Sequence, residues 1–452
     1  MSDVKNISPE FIENLLQNIK KRNNKAIIEA FSDMHPADIA EILDDFELED
    51  EAYVLDILDN DLSSDIFIEI DDDDRKKILQ KLTSKEIAES VIKEIDSDDA
   101  ADIIAELPEE QKEEVIAELD DVEQAKDIVE LLRYDEDTAG GLMGKELIKV
   151  NQDWNVLTCV KEMRKQAEEL EQVNTIYVVD VHDILLGTLS LKKLLTTSTR
   201  TKVEEIYRDN IRFVSVKDSD VEVANVMSKY DLYEIPVVDE MNRLVGRISI
   251  DDVVDVIKEE AEKDYQLASG ISQDVDSDDT IWKLTKARLP WLVLGLFGGL
   301  ASARIMGGFD EALARFPELF FFTPLIAAMA GNVGVQSSAI IVQAIANDDL
   351  KGKLSDRLLK EFGLSLVNGF VLSGLVILFG GIIGFHWLTS LTIAISLMSV
   401  IILAGFIGTL VPIVLHNRGI DPALATGPFI TTSNDILGIL LYFLIAKMVL
   451  GF

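Results

Sequence analysis

The chain has 452 residues, room for about three domains, and carries 42 Lys and Arg against 81 Asp and Glu, a formal net charge of −39. So acidic a chain is a poor ligand for nucleic acid or an anionic lipid surface, and a good one for cations or basic partners. The single cysteine, Cys159, excludes a disulfide framework and a cysteine metal site, and the start MSDVKNISPEF lacks the basic and apolar regions of a signal peptide.

The charge is unevenly placed. Residues 1–280 hold 31 basic and 72 acidic residues, whereas 281–452 hold eleven and nine. The first part reads as a soluble polyanion that stays in the cytosol. The second is nearly neutral and apolar, with its first span expected to act as the insertion signal. Within the first part, Leu43, Leu55, Phe67, Leu79, Val91, Ile103 and Val115 recur every twelve residues. Fragments such as ADIAEILDDF, AESVIKEID and ADIIAELPEE read as helix starts between polar spacers. The period predicts a superhelix of short stacked helices over residues 1–135. Most of its acids fit a solvated face. The run Asp71–Asp74 and the trio Asp98, Asp99 and Asp102 exceed what solubility needs.

An internal repeat follows. YVVDVHDILLGTLSLKKLL (177–195) aligns with PVVDEMNRLVGRISIDDVV (236–254) at a spacing of 59, pairing Val179 with Val238, Gly187 with Gly246 and Ser190 with Ser249. Each copy reads as strand, turn, strand, helix. The pair resembles tandem CBS domains, over 136–200 and 201–258. In that module the Ser and a following Asp grip a ribose. The second copy has Ser249 and Asp252, but the first has Lys193 where the Asp belongs, so ATP is expected on one side only. In the next segment, 251–270, Asp252, Asp255 and Glu259 share a helical stripe with Glu260 and Asp264 close by. Like charges so spaced cost a lone helix about 0.2–0.5 kcal/mol per pair. A bound cation or a facing basic surface would remove that cost. Residues 259–287 are expected to form a connecting helix into the membrane.

Five apolar stretches can cross a bilayer core, which takes about 20 helical residues: Leu289–Met306, Leu319–Ala346, Phe362–Phe385, Leu388–Leu415 and Thr426–Leu450. They make 288–452 a five-helix transmembrane domain, in a chain that is mainly α. Lys283, Lys286 and Arg288 precede the first span; Lys351, Lys353, Arg357, Lys360 and Arg418 lie in loops expected inside. The N-terminus is then cytosolic and the C-terminus outside. GNVGVQSS (331–338) in span two and PFITTSND (428–435) in span five place polar groups in the bilayer. Asp435 lies about 13 Å from the start of its span, and Gln336 and Asn332 about 15 and 21 Å from the end of theirs. Asp435 reads either as a protonated carboxyl bonded to a neighbouring helix or as a cation site, ionisable groups at this depth marking ion pathways. Asn332 and Gln336 read equally as pore lining or as helix glue.

Taken with DTAGGLM (137–143), GNVGVQSS and DPALATGPFITTSNDILGILLYF (421–443), the sequence resembles the MgtE-type magnesium transporter and channel family over nearly its full length. The resemblance implies a homodimeric, channel-like pore for Mg²⁺ in the cell membrane, with Co²⁺ and Mn²⁺ as further candidate ions. It implies that Asp435 holds the hydrated ion, with Asn332, Gln336 and Thr431 lining the path and Asp421 at its cytosolic end. It further implies regulatory Mg²⁺ on Asp98, Asp102, Asp231, Asp252, Asp255, Glu260 and Asp264, which draws the acidic domains together and plugs the pore. Lys263 departs from that acidic pattern, and Gly427 stands before Pro428 where some relatives carry a polar residue. The competing expectation is a proton-coupled transporter of divalent cations using the same Asp435. Catalysis is not expected: the sequence offers no nucleophile–base pair, no Walker-type loop, and its four histidines fall in unrelated segments.

Overall fold

The computed structural model describes residues 8–451 except 168–169, 171–172, 274, 277–278, 347–349, 351–352 and 426. Residues 1–7, Lys351 of the expected inside loop and Thr426, read as the start of the fifth span, lie outside the described residues. The chain divides into two compact units, Met1–Ile257 and Lys258–Phe452.

The first unit opens with short α-helices, from Pro9–Lys20 to Val122–Leu131. At two or three turns each they are too short to persist alone, so stacking must hide their apolar faces. All seven side chains of the twelve-residue period are buried in one core. Sequence-local caps set the breaks. Ser8 caps the first helix, with Pro9 at its first position, and Thr83 and Glu86 form a reciprocal capping box. Arg75 staples the stack. Its guanidinium donates to Glu106 Oε1 and Oε2 at 2.6 and 3.3 Å and to the carbonyls of Ile68 and Ile70. Arg75 also pairs with Asp72 at 2.6 Å, and Lys77 with Asp74 at 2.5 Å. Asp72 and Asp74 of the acidic run are therefore neutralised by their own helix. Arg75→Ala strands Glu106, whose side chain is only 12% exposed. We expect a loss of about 3–5 kcal/mol, read as faster hydrogen exchange across Ile66–Glu106.

The repeat folds as two like sheets. Strands β1 (Ile148–Asn151), β2 (Ile176–Val179) and β3 (Leu185–Leu189) pair in that order, as do β4 (Val214–Ser215), β5 (Glu234–Val238) and β6 (Leu244–Ser249). In both, the first pair is parallel and the second antiparallel, with an irregularity at Val178/Val179 and again at Val237/Val238. These positions are 59 apart, as are the left-handed turn residues Asp183 and Asn242. The two turns join, Leu185 N donating to Asn242 O and Leu244 N to Asp183 O.

The expected connecting helix is placed differently. One helix runs Ile250–Ala268, and the segment from Ile281 belongs to the next helix, Ile281–Gly307. The second unit contains five helices long and apolar enough to cross a membrane: Ile281–Gly307, Glu318–Ala346, Leu354–Ile383, Trp387–His416 and Gly427–Leu450. The first and third begin eight residues ahead of their apolar stretches, on charged turns that hydropathy alone assigns to loops. The second, fourth and fifth share a buried core around Ile326, Leu397, Ile401 and Phe443, and Tyr442 Oη donates to Leu319 O at 2.9 Å. Small residues let these helices approach. A Cβ on Gly334 would strike the Asn434 amide and lie 2.7 Å from Ile430 Cγ2. Gly334→Ala should therefore destabilise the membrane unit by about 1–3 kcal/mol, seen as a lower Tm in detergent.

Candidate functional site

Within the membrane unit, Asp435 is half-buried on the fifth helix. A Cβ on Gly331 of the second helix would lie 3.6 Å from its Oδ1 and 3.1 Å from Thr431 Cγ2. Asp435 and Thr431 are thus brought against GNVGVQSS by its glycine. The unit's ion pairs, Glu260–Lys263, Asp279–Lys283 and Glu311–Arg315, leave Asp435 without a basic partner among the described residues. Thr431 spends its hydroxyl on Gly427 O at 3.0 Å. Asn332 and Gln336 are both exposed, one turn apart on the second helix. Asn434 was not singled out by sequence, yet it is 1% exposed and neither amide atom has a hydrogen-bond partner among the described residues. Only its place beside Asp435 in SND marks it.

A second acidic contact lies nearby in the same unit. Asp264 is half-buried, and burial, then Asp421 and Glu260, raise its carboxyl above the ordinary range. Asp421 Oδ1 accepts from Ala423 N at 2.7 Å, which starts the 3-10 turn Pro422–Ala425. Gly270, in the left-handed region, has the Pro428 ring packed where a side chain would begin, and Gly427 sits against Ala268 O. The end of the Ile250–Ala268 helix therefore rests on the first turn of the fifth span. Lys263 lies 3.3 Å from Glu260 and holds that acid in place.

In the first unit a nest of acids forms around Asp98. Burial, then Asp252, Asp99, Glu146 and Asp96, raises the Asp98 carboxyl well above the ordinary range. Asp99 is pushed up to about 7 by burial and then Asp252; Asp102 reaches about 7 by burial and then Glu136, against the pull of Arg75. Asp252 is raised by burial, partly offset by Ser249, whose N–H and Oγ donate to Oδ2 at 3.1 and 2.6 Å. Asp96, Asp98 and Glu146 present oxygens all within 4.8 Å of one another. Ser97 orients Glu146 by donating from its N–H and its Oγ, each at 3.0 Å. Asp98, Asp99, Asp102 and Asp252, all singled out in the sequence, thus lie in one group, which Asp96 and Glu146 join. Asp255 is exposed, and Asp231 is the exposed left-handed cap that closes the helix Asp220–Tyr230. The structure brings neither into the nest. Crowded carboxylates, half-buried at Asp98, Asp99, Glu146 and Asp252 and exposed at Asp96 and Asp102, suit either protons or a hard divalent ion with oxygen ligands.

Comparison with known proteins agrees with this layout. Residues 34–137 match the MgtE intracellular N domain, 139–199 and 203–259 the CBS domain, and 323–445 the divalent cation transporter domain of MgtE. Magnesium transporter MgtE of Bacillus subtilis is 35% identical over 317 residues, 70% of either chain. That of Thermus thermophilus is 35% identical over 330 residues, 71% of this chain and 72% of the relative. The crystal structure of the soluble part of a magnesium transporter superposes with a TM-score of 0.50 and 27% identity, over 56% of this chain and 98% of that one. The cytosolic domain of the Mg²⁺ channel MgtE in complex with ATP gives 0.50 and 31%, over 54% and 99%. With its N domain, CBS pair and five apolar helices, the chain belongs to the MgtE family of magnesium transporters, multi-pass membrane proteins whose transported ion is Mg²⁺.

Proposed function

We propose that this chain forms a homodimeric, channel-like Mg²⁺ pore in the cell membrane, closed from the cytosol by Mg²⁺ on its acidic unit. The observation that carries the pore is the polar face the protomer leaves uncovered. Asn332 and Gln336 are exposed and Asp435 only half-buried, on helices that otherwise show apolar side chains outward. A charged side chain facing lipid at this depth costs about 2.5–3.5 kcal/mol. A second copy laid on the same face removes the cost and encloses a polar path with one Asp435 from each protomer. Mg²⁺ prefers six oxygens and gives up its waters reluctantly. Two carboxylates with amides nearby therefore suit the hydrated ion, held through its waters. Co²⁺ and Mn²⁺, hydrated in the same octahedral manner, are expected to compete.

Closure follows from the acids. In the nest, repulsion among Asp98, Asp99, Asp102 and Asp252 opposes docking of their elements until a divalent ion bridges them. At the foot of the fifth span, Asp264 and Asp421 repel across the contact that Gly270 and Pro428 make, so an ion there favours the seated helix. Asp231, Asp255 and Glu260 are assigned to the partner's acids or to looser sites. ATP is assigned to the second repeat, at Ser249 and Asp252, on the likeness to the ATP-bound relative. Because Asp252 also belongs to the nest, nucleotide and Mg²⁺ would act on one carboxylate. The N-terminus and acidic unit are placed in the cytosol and the C-terminus outside.

Cross-linking tests the dimer directly. In a Cys159→Ser background, Gln336→Cys should join two copies with a short thiol cross-linker, whereas Leu378→Cys, exposed on the third helix, should not. Monomer alone at position 336 would remove the two-fold pore.

A further inference from the structure

A carboxylate that the pore does not use lies between the second, third and fourth membrane helices. Glu361 sits on the third helix, Leu354–Ile383, about 10 Å from its start. It is half-buried, and none of the unit's ion pairs among the described residues includes it. Ser337 Oγ of the second helix donates to its Oε1 at 2.7 Å. Ser365, one turn along the third helix, is 2% exposed and its Oγ has no hydrogen-bond partner among the described residues. Both oxygens converge on Gly405 of the fourth helix, where a Cβ would lie 2.5 Å from Glu361 Oε1 and 2.7 Å from Ser365 Oγ. Thr409, one turn further on that face, is also 2% exposed and unpartnered.

Buried hydroxyls without partners are costly in hydrocarbon, and an unpaired carboxylate more so. What satisfies such a set of oxygens is a hard positive ion. Its charge is fixed by the count of acids. One carboxylate balances one positive charge, and a divalent ion would leave a net charge in low dielectric. Mg²⁺ also keeps several of its waters, and the walls here are dry, Ser337 being 5% and Ser365 2% exposed. We propose that Glu361, Ser337 and Ser365 form a second intramembrane site, separate from Asp435, that takes one Na⁺ and ties the third helix to the second and fourth.

The site is read without Mg²⁺ and independently of the pore. Thermal unfolding of the full chain in detergent is followed as Na⁺ replaces choline at constant ionic strength. Tm should rise and saturate in the wild type, and stay flat in Glu361→Gln and in Gly405→Ala, whose methyl fills the point of convergence. Ser365→Ala should raise the half-saturating Na⁺ about tenfold. Radioactive Na⁺ binding supplies a measurement that does not depend on the stability of the variants: about one ion per protomer, from the neutrality count, retained in Asp435→Asn. No saturable Na⁺ binding by the wild type, or a wild-type response in Glu361→Gln or Ser365→Ala, would overturn the proposal.

Discussion

Asp435→Ala should reduce Mg²⁺ uptake into proteoliposomes by about 100-fold with protein yield and dimer cross-linking unchanged. A hydrogen bond to a charged group contributes about 1.5–3 kcal/mol. Two protomers each lose one, and every 1.4 kcal/mol is about a factor of ten. Asp435→Asn keeps the shape and the hydrogen bonding but removes the charge, and should fall nearly as far. Asp435→Glu should retain partial flux, because an ion held through its waters tolerates about an ångström of displacement better than one bound directly. Uptake and ion selectivity left intact in Asp435→Ala would show that the carboxyl is a helix-packing group, the other reading its depth in the sequence allowed.

The second large effect concerns the acidic unit. At millimolar Mg²⁺ the full-length protein should resist limited proteolysis between its helical region and its repeat, and in chelator it should be cut there rapidly. The pH dependence has a definite sign. Burial and neighbouring acids push Asp99 and Asp102 up to about 7 from an ordinary 3.8, and displace Asp98 and Asp252 the same way. A carboxyl raised by folding favours the fold fully below its unfolded value. That contribution fades as pH rises and is gone above the folded value. In chelator, stability should therefore decline from about pH 4 to about pH 7. With Mg²⁺ present the decline should flatten, because the ion takes the place of the protons. Below about pH 7 the ionised fraction of each such acid drops about tenfold per unit, so the half-protecting Mg²⁺ concentration should climb steeply on acidification. Asp98→Asn with Asp102→Asn should protect the unit in chelator and remove most of the Mg²⁺ response. The same digestion pattern with and without Mg²⁺ would contradict the bridging role.

Much of this architecture is legible in the sequence because burial imposes periods on it. A twelve-residue apolar recurrence produced seven buried side chains, and a 59-residue repeat produced two sheets with their irregularities at equivalent positions. The membrane helices were visible through length and apolarity, but their ends were not. Hydropathy stops at the first charged turn, whereas the helix continues into water wherever its backbone is satisfied. That is why the apolar stretch of the third span begins only at Phe362, one residue after Glu361, although its helix starts at Leu354. The acid nest was half visible. Asp98, Asp99 and Asp102 stand out as surplus charge and Asp252 in an acidic stripe, but Glu146 joins them only through two hydrogen bonds from Ser97, 49 residues away. No local pattern encodes that approach. Asp231 rests on the family resemblance alone and Asp255 on the acidic stripe as well, and the fold leaves both exposed. Charge density shows where acids are in excess, and only tertiary placement shows which of them lie together.

In the proposed mechanism the acidic half measures the ion that the membrane half conducts. The most direct measurement is single-channel recording from inside-out patches, with Mg²⁺ at the cytosolic face as the only variable. Open probability should fall steeply as that Mg²⁺ reaches the millimolar range, and the fall should be blunted in Asp98→Asn with Asp102→Asn while unitary conductance stays the same. An open probability indifferent to cytosolic Mg²⁺, or a double variant that still closes like the wild type, would contradict the account.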